Sequence, residues 1–148
     1  MTSYHVALFL HLLGVAGLFS GMTVAAVALA AARRRELPSE VALLLGLTRV
    51  GVALVGAGIL VALITGFWLL DETGYGLNDG WVAEAIGLLV LAGLLGALGG
   101  QRPKKARLLA EQGDPEASHR LGDPLTLVLN GAAAACVLAI LALMIWKP

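Results

Sequence analysis

The sequence predicts an all-α integral membrane protein, an antiparallel four-helix bundle with both termini outside. Three observations predict it. Residues 6–32, 50–70, 81–99 and 125–146 are each almost free of charge, and each is near the ~20 residues that a helix needs to cross a hydrocarbon layer of ~30 Å. All the Lys and Arg residues except Lys147 fall in or beside the first and third connections between these stretches. Tyr4, Trp68, Trp81 and Trp146 all stand at the ends of the stretches away from those basic connections.

Composition leaves little room for anything else. In 148 residues the hydrophobic share is 59%, well above the ~45–50% of a soluble domain, and the mean hydropathy is +0.88. The formal net charge is zero, so no basic surface for nucleic acid is implied, and the charges that exist are segregated along the chain. The longest polar connection, residues 100–123, is too short for a soluble domain. The chain reads as one domain with spans at about 6–32, 41–70, 81–99 and 125–146.

The first span carries no basic residues ahead of its apolar run and is followed by Arg33-Arg34-Arg35. A run this long exceeds the ~7–15 residues of a signal-peptide core, so it reads as a retained helix. Glycine and alanine at 14, 17, 21, 25 and 28 recur at helical spacing. In lipid, close helix approach uses small side chains, and the Gly14, Gly17 and Gly21 face is expected to pack on another helix. The second span follows Pro38-Ser39, with Ser39 the expected N-cap, and places Ala53 and Gly56 on a face with Arg49. Its outer end leads into Asp71, Glu72 and Asp79 without a basic residue. The third span opens at Gly80-Trp81 after Asn78-Asp79, either of which can cap it, and shows small residues at 85, 93, 96 and 100. The basic connection that follows is expected to break into short pieces at the Gly-Asp-Pro triplets 113–115 and 122–124, with 103–112 lying on the membrane surface. Pro124 then opens the fourth span at the first helical position.

Lys and Arg concentrate in cytoplasmic connections, which puts the termini on the other side. Indoles prefer the interface, and all three tryptophans fall at the outer one under this topology. The expected address is a bacterial cytoplasmic membrane, with periplasmic or extracellular termini and the bilayer as the first partner.

Ionisable side chains within spans cost about 2.5–3.5 kcal/mol or more and so mark candidate sites. His11 falls two turns into the first helix and points toward its glycine face. Imidazole suits haem iron, copper or proton relay, and equally a structural hydrogen bond to a neighbouring helix. Arg49 stands near the cytoplasmic surface, where it can snorkel to headgroups or turn toward Asn130 of the fourth span. Glu84, one turn past Trp81, can reach water at the outer end or share a layer with His11. Cys136 is the sole cysteine, which excludes an internal disulfide and a dithiol redox motif. His119 reads as a solvated residue of the third connection.

Leu10-His11-Leu12-Leu13-Gly14, Ser20-Gly21, the three arginines, Thr48-Arg49, Gly66 and Gly80-Trp81 resemble the pattern of a family of uncharacterised bacterial four-helix integral membrane proteins. The resemblance covers roughly the first two-thirds of the chain, with the last span matching in hydropathy. That family is similar in plan to the CopD copper-resistance domains and to HemJ, the protoporphyrinogen oxidase with haem b. In those families a first-helix histidine is a metal or haem ligand, which maps onto His11. HemJ also uses a lysine in a later helix, and no span here contains one. The sequence therefore implies either a non-enzymatic accessory or assembly subunit of a larger membrane complex or a homo-oligomer, or a haem- or copper-binding redox protein using His11, or a small transporter. No nucleophile triad, phosphate loop or carboxylate pair points to soluble-enzyme chemistry.

Overall fold

The computed structural model describes residues 2–113 and 124–146. These are helical almost throughout, in α1 (Ser3–Ala32), α2 (Pro38–Thr73), α3 (Gly80–Glu111) and α4 (Pro124–Trp146). All four are long and apolar enough to cross a membrane. α1 has 30 residues and α2 has 36. At 1.5 Å per residue, α1 alone reaches about 45 Å, more than a hydrocarbon core of ~30 Å requires.

Helix limits follow from backbone chemistry. Leu37, not Ser39, precedes the first turn of α2, and its carbonyl accepts from the amides of Glu40 and Val41, both at 3.1 Å. Pro38 takes the first helical position, where its missing N–H would have no intrahelical partner anyway, and this moves the start ahead of Ser39. α2 ends at Gly74, whose φ of 74° is the left-handed conformation that closes a helix and that glycine adopts without steric cost. Asp79 occupies the N-cap of α3 in an extended conformation, its carbonyl accepting from Val82 and Ala83 at 2.9 and 3.2 Å. α4 begins at Pro124, as the proline predicts. The expected cap Asp123, the triplet residues 114 and 115, His119, Arg120 and Lys147 lie outside the described residues.

The third helix differs from expectation. Instead of stopping near residue 99 and restarting on the membrane surface, α3 runs without interruption to Glu111, with Pro103 inside it. An internal proline removes one hydrogen bond and clashes with the preceding turn, at about 3 kcal/mol. Beyond it Ala106 and Ala110 are buried, so burial of this last stretch offsets the cost of the proline and the helix continues. Gly113, with φ 76°, ends it.

The chain divides into two compact units, Met1–Ala31 with Leu43–Gly76, and Ala32–Ala42 with Leu77–Pro148. The first is the α1–α2 pair. A β-carbon on Gly14 would lie 2.7 Å from the Ala62 nitrogen, and one on Gly21 would lie 2.5 Å from the Gly51 carbonyl oxygen. Rising numbers in α1 thus meet falling numbers in α2. In the second unit α3 packs on α4, where Asn130 and Leu129 cover Gly99. Arg35 and Glu40 form an exposed ion pair at 3.7 Å within the connection of that unit.

Each pair buries one small side chain every seven residues: Ala7, Gly14, Gly21 and Ala28 in α1, Gly51, Gly58 and Thr65 in α2, Ala85, Ala92, Gly99 and Ala106 in α3, and Thr126 and Ala133 in α4. A sustained seven-residue seam belongs to a left-handed helix crossing. It passes beside the glycines that a three-and-four spacing singles out. A β-carbon on Gly17 would make only an ordinary contact, 3.8 Å from the Gly58 Cα. Ala53, Gly56, Gly93 and Gly100 are exposed and Gly96 is partly so. These residues therefore do not form the seams of the two pairs.

Candidate functional site

His11 lies on the α1 seam, one turn before Gly14, and is 8% exposed. Its position follows from the glycines around it. Gly14 and Gly58 let the two backbones come together, and Gly66 opens space beside the ring: a β-carbon there would stand 3.3 Å from His11 Cε1. A larger residue at 66 would press on the imidazole.

The His11 Nδ1–H donates to the Ala62 carbonyl at 2.9 Å. A carbonyl only accepts, so this contact puts the proton of the neutral ring on Nδ1 and leaves Nε2 as the lone-pair nitrogen. Thr65 is the other polar neighbour, its Oγ1 3.4 Å from Nδ1. The threonine hydroxyl donates to the Val61 carbonyl of its own helix at 2.7 Å, so towards histidine it offers only its oxygen. The Ala62 carbonyl is the main anchor.

This ranking gives a test. Thr65→Val should cost less than about 1 kcal/mol, because the hydroxyl's stronger bond is local and its contact with His11 is long. Thermal melting of the purified protein would check it. A loss comparable with that of His11→Ala would make Thr65 the anchor in place of Ala62.

A second polar group joins the far ends of α1 and α2. The hydroxyl of Ser3 donates to Glu72 Oε1, and the Trp68 indole donates to the same oxygen at 3.3 Å. Glu72 thus ties the start of α1 to the last turns of α2, beside an indole of the expected interfacial belt. Its role is invisible in linear order, since Ser3 and Glu72 are 69 positions apart. Thr65 is more legible, being seven residues beyond Gly58 on the same seam.

The other candidates are dispersed. Arg49 is exposed on α2 and Glu84 is exposed on α3. Asn130, partly buried on α4, packs its side-chain amide against Gly99 of α3. Cys136 is partly buried and its thiol is free. His5 is exposed and meets the Tyr4 ring edge-on, with centroids 5.6 Å apart.

The fit to a metal or haem can be judged from these donors. Among the described residues no three His, Cys, Asp or Glu side chains gather to hold a metal ion. Within the α1–α2 unit, His11 contributes a single Nε2. Copper and six-coordinate haem iron require further ligands, so these residues alone do not make either site. What the arrangement does supply is one imidazole with a fixed tautomer, held between two closely packed helices.

Residues 5–148 match the family model described as "Predicted integral membrane protein (DUF2269)", and the chain belongs to that family. The match includes the fourth span, so the likeness extends past the first two-thirds of the chain. No curated protein and no solved structure matches the chain.

Proposed function

We propose that this DUF2269 protein is a non-enzymatic accessory or assembly subunit of a larger complex in a bacterial cytoplasmic membrane, folded as an antiparallel four-helix bundle with both termini outside. The observation that carries this reading is a face of α3 that α4, its neighbour within the same unit, does not cover. At Gly93, Gly96 and Gly100 no described atom of the same unit, beyond the adjoining backbone of α3 itself, lies within 4 Å of where a β-carbon would stand, and Ala97 between them is exposed. Glycine weakens a helix by about 1 kcal/mol relative to alanine, so three of them on one face call for a compensating contact. In lipid that contact is a second helix, because van der Waals packing through small residues drives association there. The orientation rests on the segregation of Lys and Arg and on the one-sided tryptophans.

A photo-crosslinking side chain at Ala97, in native membranes, tests the docking face. We expect a discrete protein adduct from position 97, none from the exposed α4 position Leu138, and loss of the adduct on Gly93→Leu. An adduct of twice the chain mass would identify the partner as a second copy. Lipid adducts alone at both positions would sink the proposal.

One observation favours a second reading, a haem- or copper-binding redox protein. Histidine ligands commonly donate one ring N–H to a carbonyl so that the other nitrogen faces the metal, and His11 is anchored in this way. The remaining ligand would come from outside the protomer, as from the equivalent histidine of a symmetric dimer. Less supports a small transporter: the buried polar side chains among the described residues are His11, Thr65 and Thr126, with no carboxylate for proton coupling.

A further inference from the structure

α3 carries two weak points within little more than one turn, Gly99-Gly100 and Pro103, and it continues through both to Glu111. Pro103 has no N–H, so the carbonyl four residues before it, that of Gly99, loses its usual helical donor, and the proline ring crowds the same carbonyl. Glycine gives up more backbone freedom in a helix than any other residue, and two stand side by side where this bond is missing. Counted from Trp81 at 1.5 Å per residue, Gly99 lies about 27 Å along α3, close to the ~30 Å of a hydrocarbon core. The weak turn is therefore placed where α3 leaves the apolar layer. Arg102, Lys104 and Lys105, beside and beyond it, are exposed.

Two features hold the helix across this turn, both within the unit that α3 shares with α4. Beyond the turn, Ala106 and Ala110 are buried. At the turn itself the Asn130 carboxamide of α4 lies on Gly99, where a β-carbon would stand 2.5 Å from Oδ1 and 3.1 Å from Cγ. Only glycine leaves room for it. α4 contains no charged residue and no other carboxamide, yet it sets this one against the residue whose carbonyl Pro103 deprives of a donor. In membrane helices, backbone groups freed by proline are satisfied again by neighbouring helices or ordered water. A carboxamide has an accepting and a donating arm on one planar group, so turning it about its last bond offers an N–H to Gly99 from the same position.

We propose that Gly99–Pro103 is a hinge in α3, and that Asn130 is the latch that keeps the segment beyond it, Lys104–Glu111, continuous with the membrane-crossing part. When the latch releases, this segment turns at the hinge and Ala106 and Ala110 come into water. The basic end of α3 thus has two arrangements, of which the structure shows the latched one. The device is separate from His11 and does not depend on the accessory role.

The test follows opening through a thiol. The parent is the whole chain in detergent micelles with Cys136→Ser, which removes the only native cysteine, and Ala110→Cys. The rate of its reaction with N-ethylmaleimide is measured, with thermal melting as the check on folding. Gly100→Ala meets no atom of the unit within 4 Å beyond the α3 backbone. It should slow the reaction about fivefold, because alanine favours the helical turn over the open one. Pro103→Ala should slow it more than tenfold, since it restores the bond to the Gly99 carbonyl and removes the clash. Gly96→Ala, one turn before the hinge and equally open within the unit, should leave the rate unchanged. Asn130→Leu, similar in size but without the amide, should speed the reaction about fivefold, as expected for losing one hydrogen bond; Asn130→Ala serves where the leucine variant does not fold. The hinge is overturned if Gly100→Ala and Pro103→Ala react as the parent does, or if Gly96→Ala slows the reaction as much as Gly100→Ala. The latch is overturned if the Asn130 variant reacts at the parent rate.

Discussion

Gly58→Ala should destabilise the α1–α2 pair by about 2–3 kcal/mol, the upper part of the usual range for overpacking. The new methyl would stand 2.5 Å from the Leu18 backbone nitrogen and 2.7 Å from the Gly14 carbonyl oxygen. Neither atom can rotate away, so the helices must separate, and the Gly14, Gly21 and Gly51 contacts loosen together. Separation also lengthens the hydrogen bond from His11 to Ala62. The same substitution at Gly87, where nothing lies within 4 Å, carries no clash and gains up to about 1 kcal/mol of helix propensity. Thermal melting of both variants in one detergent decides the matter. If Gly58→Ala and Gly87→Ala shift the melting temperature in the same direction, the close approach of the backbones is not what holds the pair. Gly17→Ala, with only an ordinary contact to Gly58, should be close to neutral.

His11→Ala should lower stability by about 2–4 kcal/mol. The substitution removes a buried ring and leaves a cavity between α1 and α2, and it deletes the charge-neutral hydrogen bond to Ala62, worth about 1 kcal/mol. Melting measures this loss, and absorbance with metal analysis of parent and variant separates the two roles open to the residue. A structural His11 gives the stability loss with no spectral change, in protein expressed with added haem and copper. A ligand His11 gives a haem or copper signal in the parent that the variant lacks. A variant that melts with the parent would show that the buried imidazole is not part of what joins the helices.

The seam explains how far the linear pattern could be followed. Gly14 and Gly21 stand out in the sequence and do meet α2 backbone, yet their partners Gly51 and Gly58 are hidden among six other glycines and alanines of that helix between 46 and 66. Spacing by three and four picks out Ala53 and Gly56, which face away. Spacing by seven picks out Gly51, Gly58 and Thr65. The longer period is set by how two helices cross, and a single helix viewed alone does not contain that information. Pro103 misleads for a related reason. Its local effect is to end a helix, and only the burial of Ala106 and Ala110 shows why α3 continues.

The buried ionisable groups divide in the same way. His11 is conspicuous because an imidazole in an apolar run is costly unless paired, so its importance can be read from its neighbours in the chain. The carbonyl that pairs with it is 51 positions away and carries no side-chain signature, since every residue has one. Arg33 reads in sequence as one of three equivalent arginines. Burial of its Nε and Nη2 alone distinguishes it from Arg34, because only the folded unit removes one guanidinium edge from water and leaves the next exposed.

By itself the sequence determined the helical class, the four membrane-crossing segments and the asymmetry of charge around them. Those properties are sums over many residues: about 20 apolar side chains per span, and a count of Lys and Arg on each side. No single contact decides them. The tertiary structure alone decided which glycines are contacts and which are open faces, which carbonyl holds His11, and which arginine has a buried edge. Each of these depends on the meeting of two segments distant in the chain, where a displacement of an ångström separates a clash from a contact.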